Sequence, residues 1–184
     1  MNLSACRSEI CEVDVAPLVA WLEANPQRWP EVAPTKPGRV FDMPRASQVH
    51  GVIQAVVREF PAEVTVHQPM LSRMAPGQSH PMHVDSRRSD GITRVHVPLV
   101  TNDGCWFAWE EEQHIQACDV CGSHPDEQGT MEHGEECGGL LEGMAVHHFA
   151  LGRAYTFDTT RRHAFGNDGP TERVHLIFAV LRRE

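Results

Sequence analysis

The chain has no excess of positive charge and no long hydrophobic run, and both absences narrow its function. Its 16 lysines and arginines are outnumbered by 25 acidic residues, giving a net charge of -9, and the basic residues are scattered. Nucleic-acid surfaces need a basic patch or stripe, so we expect no nucleic-acid partner. No stretch approaches the ~20 apolar residues that cross a bilayer, and the first residues lack the pattern of a secretory signal. We expect a cytoplasmic protein with no membrane partner.

The apolar content suffices for one core. A length of 184 residues with 41% hydrophobic content predicts a single domain spanning residues 1–184. The six cysteines, in a chain without a secretory signal, favour reduced thiols or metal ligands over disulfides.

The first third of the chain carries two helical patterns. Apolar residues recur at three- and four-residue spacing within residues 13–25 and again within 45–60, and each segment stops at a proline, Pro26 or Pro61. We predict two amphipathic helices that pack on one sheet. Residues 1–62 would then form a helical N-terminal support.

From residue 63 the pattern changes to short apolar runs separated by glycine, proline and asparagine. These runs predict eight strands, over residues 64–72, 82–85, 93–100, 106–109, 146–150, 154–158, 163–165 and 173–182. Eight short strands favour a mainly β fold, a double-stranded β-helix or cupin-like jelly roll whose sheets enclose a pocket. The expected β-barrel core covers residues 63–182, with an insertion at 110–143.

Three side chains have the types and spacing of a non-haem iron site. His83 and Asp85 are two residues apart, so a strand would point both to the same face. The distant His163 completes a set of two imidazoles and one carboxylate. That set, with its opposite face open, is typical of Fe(II) oxygenases rather than of closed structural zinc sites. We predict that these three residues are the catalytic iron ligands.

Arg173 follows His163 by ten residues, after a turn-rich stretch at 166–170. A β-hairpin would set the two side by side. A guanidinium matches the geometry of a carboxylate, so we predict that Arg173 binds the distal carboxylate of 2-oxoglutarate while the keto acid binds the iron. His175 would point the same way and contact cosubstrate or substrate. The alternative for Arg173 is a surface ion pair with Glu172.

Several further motifs accompany these residues in a fixed order: Leu71-Ser72-Arg73-Met74-Ala75-Pro76-Gly77, His83-Val84-Asp85, Arg94-Val95-His96-Val97-Pro98-Leu99, Gly152-Arg153-Ala154-Tyr155-Thr156-Phe157-Asp158, His163, Asn167 and Arg173-Val174-His175-Leu176-Ile177. In this order and spacing, about residues 63–182 resemble the aspartyl/asparaginyl β-hydroxylase family. The resemblance implies an Fe(II)- and 2-oxoglutarate-dependent dioxygenase on a double-stranded β-helix, with succinate and carbon dioxide as coproducts.

The resemblance also implies roles for three more residues. Ser72 would share the distal carboxylate of 2-oxoglutarate with Arg173. Arg94 and His96 would lie near the other end of the cosubstrate, and strand alternation puts both on one face. Some family members that act on protein domains have glycine where this chain has Asp85. The carboxylate here looks more like that of bacterial relatives that hydroxylate free amino acids such as proline.

The expected substrate is an amino-acid side chain of the aspartate, asparagine or proline type, free or in a peptide. Two alternatives remain open at this point. One is a cupin-like metal dioxygenase that does not use 2-oxoglutarate. The other is a non-enzymatic metal-binding or interaction module.

The insertion at 110–143 carries a second group of metal-ligand side chains, namely Cys118, Cys121, His133 and Cys137. Three thiolates and an imidazole in a loop-rich segment form the ligand set of a structural zinc site. His124 competes with His133 for the fourth position. The alternative is an acidic surface loop with free thiols, and the sequence leaves both interpretations open.

Overall fold

The computed structural model describes residues 7–26, 38–40, 47–60, 63–85, 92–110, 144–157 and 161–182, and every structural statement below concerns these residues. They contain two helices, α1 (Ala16–Ala24) and α2 (Ser47–Val57). They also contain ten strands: β1 (Arg7–Glu12), β2 (Gly38–Val40), β3 (Val64–Met74), β4 (Gln78–His83), β5 (Ile92–Val100), β6 (Cys105–Glu110), β7 (Met144–His147), β8 (Arg153–Phe157), β9 (His163–Asn167) and β10 (Arg173–Arg182).

The strands form two antiparallel sheets. The larger sheet has six strands in the order β1-β8-β5-β10-β3-β2, and the smaller has four in the order β4-β9-β6-β7. The chain passes between the sheets repeatedly, from β3 to β4 and from β9 to β10. This arrangement confirms the predicted mainly β, jelly-roll architecture.

Both helices pack on the six-stranded sheet, as predicted. Leu18 of α1 and Val56 of α2 are fully buried and belong to one apolar cluster with Val95, Leu176 and other inward side chains of the sheet. Each such side chain contributes roughly 1.5–3 kcal/mol on burial. Neighbouring residues of a strand face opposite sides of the sheet. Because the helices cover one face, the alternate residues point from the other face toward the four-stranded sheet. Neither described helix is long and apolar enough to cross a membrane.

An aromatic cluster joins the two sheets. Its members come from strands of both sheets and from the segment before β8, and they are Met74, Phe107, Trp109, Phe149, Tyr155, Phe157 and Phe165. All are nearly inaccessible to solvent. The space between the sheets is therefore lined by rings, and polar side chains inside it are shielded from water.

Two strands lie in the N-terminal part, where the sequence predicted only helices. β1 pairs with β8 at one edge of the larger sheet, and β2 pairs with β3 at the other. The residues of β1, Arg-Ser-Glu-Ile-Cys-Glu, have little intrinsic strand propensity. These strands form because an edge offers unpaired backbone groups, which local sequence does not reveal.

The predicted hairpin between the strands of His163 and Arg173 was wrong. β9 pairs with β4 and β6, whereas β10 pairs with β3 and β5 in the other sheet. Both edges of each strand are thus filled by other neighbours, and the turn between β9 and β10 crosses from one sheet to the other.

The strand predicted over residues 82–85 ends earlier than expected. β4 stops at His83, whose partner in β9 is His163, the first residue of that strand. Beyond this pair β9 offers no further backbone groups, so Asp85 lies outside the sheet. The predicted zinc ligands Cys118, Cys121, His133 and Cys137 lie outside the described residues.

Candidate metal centre

Two imidazoles face each other across β4 and β9. His83 and His163 are direct partners in the antiparallel register, and their ring centroids are 4.3 Å apart. Asp85 turns back toward them, with Oδ1 3.4 Å from Nε2 of His83 and Oδ2 3.9 Å from Nε2 of His163. One ligand-type atom from each residue lies within 4.8 Å of the other two. The predicted triad therefore converges, through a cross-strand pair and a turn rather than along a single strand.

Backbone carbonyls orient both imidazoles. Nδ1 of His83 lies 2.8 Å from the carbonyl oxygen of Pro81, and Nδ1 of His163 lies 2.9 Å from that of Arg161. A carbonyl only accepts, so each Nδ1 donates its hydrogen and each neutral ring keeps a lone pair on Nε2. Two lone pairs and a carboxylate then face a common point, where they repel unless a cation lies among them. This outer hydrogen bond is also the usual support of metal-binding histidines.

The local electrostatics favour the protonation states that a divalent cation requires. Burial, with the nearby charge of His83, lowers the pKa of His163 to about 4. Burial alone would raise the pKa of Asp85, but the contact with His83 and the charge of Arg94 hold it well below its usual range. At neutral pH the carboxylate is ionised and His163 is neutral, as metal ligation demands.

Arg173 is a buried cation with no anionic partner among the described residues. Its side chain is 2% exposed, and burial lowers the pKa of the guanidinium to about 10. Its neighbours are the Met74 sulfur, 3.4 Å from Nη1, and the ring of Phe165, whose centroid is 5.0 Å from Cζ. Glu172, the alternative partner, pairs with Arg73 instead. An uncompensated buried charge is costly, so this environment suits a carboxylate ligand.

Unused hydrogen-bonding atoms surround Arg173. Ser72 lies opposite His175 in the pairing of β3 and β10. Oγ of Ser72 and Nε2 of His175 are both buried and have no hydrogen-bond partner in the described part of the chain. Nη2 of Arg173 donates to Nδ1 of His175 over 3.1 Å. The proton of a neutral His175 is then on Nε2, which becomes a free donor. Buried polar atoms are normally satisfied, and a carboxylate would satisfy both of these together with the guanidinium.

His96 is the third buried group with an unused atom. Its Nε2 has no hydrogen-bond partner among the residues that the structure describes, and its Nδ1 lies 3.5 Å from Nδ1 of His175. Burial, together with the charges of Arg173 and Arg94, lowers the pKa of His96 well below its usual value. The ring is 3% exposed rather than solvent-facing, so it stays neutral inside the space between the sheets.

Two aromatic rings connect the histidine and aspartate cluster with these buried donors. Phe165 lies 6.0 Å from the His83 ring, between centroids, and also contacts Arg173. Phe157 lies 5.0 Å from the His163 ring and 4.9 Å from that of His96. Neither phenylalanine was among the predicted site residues. Alternation from His163 along β9 was the signal that would have placed Phe165 in the site.

A buried asparagine fixes the turn that leads into Arg173. The side-chain oxygen of Asn167 accepts from Nδ2 of Asn102 at 3.1 Å and from the backbone of Gly169 at 3.3 Å, and its Nδ2 donates to the Thr171 carbonyl at 2.8 Å. A β-carbon on Gly169 would overlap the side chain of Asn102. The close packing of this turn locates Arg173 although no hairpin holds it.

Three further histidines, His80, His147 and His148, make contacts among the described residues. His80 stacks on Phe165 at 5.0 Å and lies 4.3 Å from the His83 ring, so it borders the cluster. His147 stacks on Trp109 at 4.2 Å. Nδ1 of His148 lies 3.0 Å from the carbonyl oxygen of Cys105.

No protein-family model matches the sequence, and the search of curated proteins finds no match. Solved structures do match, and the class of fold they define is the double-stranded β-helix of 2-oxoglutarate and Fe(II) oxygenases. An oxidoreductase of the 2OG-Fe(II) oxygenase family from Burkholderia pseudomallei is 15% identical, with a TM-score of 0.62 over 98% of this chain and 86% of its own.

Other matched structures contain 2-oxoglutarate. HygX from Streptomyces hygroscopicus, with nickel and 2-oxoglutarate bound, is 10% identical, with a TM-score of 0.64 over 97% of this chain and 83% of its own. The viral collagen prolyl hydroxylase vCPH from Paramecium Bursaria Chlorella virus-1, in a 2-oxoglutarate complex, is 11% identical, with a TM-score of 0.58 over 98% of both chains. At these identities the likeness establishes the fold, and the narrower resemblance to the aspartyl/asparaginyl β-hydroxylases stays a prediction.

Proposed function

We propose that this chain is an Fe(II)- and 2-oxoglutarate-dependent dioxygenase that hydroxylates an amino-acid side chain, free or within a peptide. The observation that carries the proposal is Arg173, a fully buried cation without a carboxylate partner among the described residues. It is separated by one aromatic ring, Phe165, from a cluster of two histidines and an aspartate. A keto acid with a distal carboxylate is the kind of ligand that reaches both places at once.

The residues divide into two groups in this proposal. His83, Asp85 and His163 hold the iron, the histidines through Nε2. Ser72, Arg173 and His175 bind the distal carboxylate of 2-oxoglutarate. Among the described residues, Oγ of Ser72 and Nε2 of His175 have no hydrogen-bond partner, and the Arg173 guanidinium has no anionic one. Arg94 and His96 lie toward the keto-acid end.

When bound, iron and 2-oxoglutarate supply the oxidising chemistry, with succinate and carbon dioxide as coproducts. The chain contributes orientation and exclusion of water. The rings of Phe107, Phe157 and Phe165, each at most 5% exposed, keep bulk water from the space between the sheets.

The buried donor set separates this function from the two alternatives. A dioxygenase that uses no keto acid has no role for a buried guanidinium beside an unpaired hydroxyl, and neither has a scaffold that only binds metal. Such a group costs folding free energy, so its presence is best explained by a ligand that compensates the charge. Several of the structural neighbours hold 2-oxoglutarate, which agrees with this choice.

The substrate class rests on the sequence resemblance and on Asp85. The presence of this carboxylate is what likens the chain to relatives that act on free amino acids. One structural neighbour is a collagen prolyl hydroxylase, which is consistent with an amino-acid side chain as the target. Aspartate, asparagine and proline, free and within short peptides, are therefore the first candidates.

The decisive experiment is anaerobic reconstitution with Fe(II) and 2-oxoglutarate, followed by addition of oxygen and a panel of amino acids and short peptides. We expect succinate only when iron, 2-oxoglutarate and oxygen are all present, and faster succinate release with the true substrate. His83→Ala should abolish the signal. Absence of 2-oxoglutarate binding would favour the cupin-like alternative, and full function in His83→Ala would favour the non-enzymatic one.

A further inference from the structure

Asp85 differs from its two partners in how the fold holds it. His83 and His163 are fixed by strand pairing and by carbonyl hydrogen bonds. Asp85 lies two residues beyond the end of β4, where the sheet no longer sets its direction. A carboxylate in that position has several rotamers available, so a further contact must select the one that faces the histidines.

Arg94 provides that contact. Its Nε lies 3.2 Å from Oδ2 of Asp85, while Oδ1 of the same carboxylate faces His83 at 3.4 Å. Arg94 belongs to β5 of the six-stranded sheet, and Asp85 follows β4 of the four-stranded sheet. The ion pair therefore connects the two sheets at the cluster.

The backbone of Arg94 is held firmly by strand pairing. β5 is an interior strand, and Arg94 is in register with Phe157 on one side and Ala179 on the other. The side chains of Arg94 and Asp85 are 27% and 17% exposed, so water screens the pair only in part. A guanidinium presents its donors in a rigid fork, which makes it better suited than a flexible ammonium to fix a carboxylate.

We propose that Arg94 is a positioning residue that holds Asp85 in the orientation for metal binding. It engages Oδ2, which also faces His163 at 3.9 Å, and leaves Oδ1 directed at His83. The inference rests on the proposed function, because it takes Asp85 as a metal ligand. It assigns Arg94 a task in the protein without cosubstrate, which is distinct from contact with the keto acid.

The test is a calorimetric titration with Co(II), an oxygen-tolerant probe of the iron site, in the absence of 2-oxoglutarate. Loss of an outer support of a metal ligand typically weakens metal binding 10- to 100-fold, and we expect a loss of about this size in Arg94→Gln. Arg94→Lys keeps the charge without the fork and should show a smaller loss. Arg153→Gln is the matched control, since it removes an arginine–carboxylate pair on β8 that involves Glu9, and should bind Co(II) like the wild type.

A double-mutant cycle assigns the effect to Asp85. If Arg94 acts through this carboxylate, Arg94→Gln should cause little further loss in an Asp85→Ala background. Wild-type affinity in Arg94→Gln, or an undiminished loss in the Asp85→Ala background, overturns the proposal. If Arg94→Gln does not fold, as judged by thermal unfolding, Arg94→Lys decides, and wild-type Co(II) affinity in that variant is the overturning result.

The same titrations separate this inference from the proposed function. If Asp85→Ala and His83→Ala both bind Co(II) like the wild type, the metal site itself is wrong. If those variants lose affinity and the Arg94 variants do not, only the positioning role fails. A variant that binds Co(II) normally but 2-oxoglutarate weakly would show that Arg94 serves the cosubstrate instead.

Discussion

Replacing Arg173 with methionine should stabilise the protein and destroy the proposed 2-oxoglutarate site. The side chain is 2% exposed, and burial lowers the pKa of the guanidinium well below its ordinary value, to about 10. At roughly 1.4 kcal/mol for each tenfold change in an equilibrium constant, this corresponds to a folding cost of about 3 kcal/mol for the charge. Methionine is unbranched and apolar and fills the same stem space without that cost.

The substitution also removes favourable contacts of the guanidinium, which reduces the expected gain in the free energy of unfolding. The interaction of Arg173 with the Phe165 ring contributes on the order of 1 kcal/mol, and His175 loses the donor at its Nδ1. We therefore expect the free energy of unfolding to rise by about 1–2 kcal/mol in the Arg173→Met protein without ligands. Most substitutions of fully buried residues do the opposite, so the sign is diagnostic.

The affinity for 2-oxoglutarate should change in the other direction. Removing one partner of a buried, hydrogen-bonded charge pair costs about 2–5 kcal/mol, which is at least a 30-fold loss. The assay is urea unfolding with and without saturating metal and 2-oxoglutarate. Arg153→Met is the control, because this β8 arginine is 42% exposed and pairs with Glu9. The reasoning is refuted if Arg173→Met is markedly less stable than the wild type, or if 2-oxoglutarate still stabilises it as strongly.

Three further predictions follow from the site and its surroundings. Ser72→Ala should leave the stability of the ligand-free protein nearly unchanged, because its buried Oγ bonds to none of the described residues, and should weaken 2-oxoglutarate binding about tenfold, measured by calorimetry. The unfolding free energy should fall as pH drops from 6.5 to about 4, because the folded pKa of His163 is about 4 and only the unfolded chain binds its proton in that window. The fall should amount to about 3 kcal/mol, and His163→Asn should flatten that part of a stability-against-pH curve; an unchanged slope would contradict the buried, neutral state. Gly166→Ala should destabilise by about 1–3 kcal/mol because its β-carbon would overlap the Trp106 ring, and Trp106→Leu should relieve part of the loss if the overlap is the cause.

Several elements were predictable because their causes are local. The two amphipathic patterns gave α1 and α2 to within a few residues, since a helix shows its buried face as a repeat in the chain. The interior strands β5 and β10 carry dense β-branched residues and were placed closely. The edge strands β1 and β2 were missed, because their pairing depends on neighbours far away in the sequence.

The residue types of the candidate site could be predicted from the sequence. The predicted local geometry, a single strand and a hairpin, was wrong. The spacing of His83, Asp85 and His163 indicated the cluster, and the structure brings the three together. The argument for it assumed one strand, whereas β4 ends at His83 because β9 begins at its partner. Arg173 was expected to reach the site by a hairpin and reaches it from the opposite sheet.

By itself the sequence determined which residue types are available and at what spacing. It contained two imidazoles, a carboxylate and a spaced arginine, together with the periodicities that define helices and interior strands. Only the tertiary structure decided that Arg173 is buried without an anionic partner among the described residues, that Ser72 and His175 have unused atoms beside it, and that Arg94 crosses between the sheets to Asp85. The reason is physical: burial and pairing depend on groups that are distant in the chain. A local sequence pattern therefore does not show whether a buried polar group will find a partner in the fold.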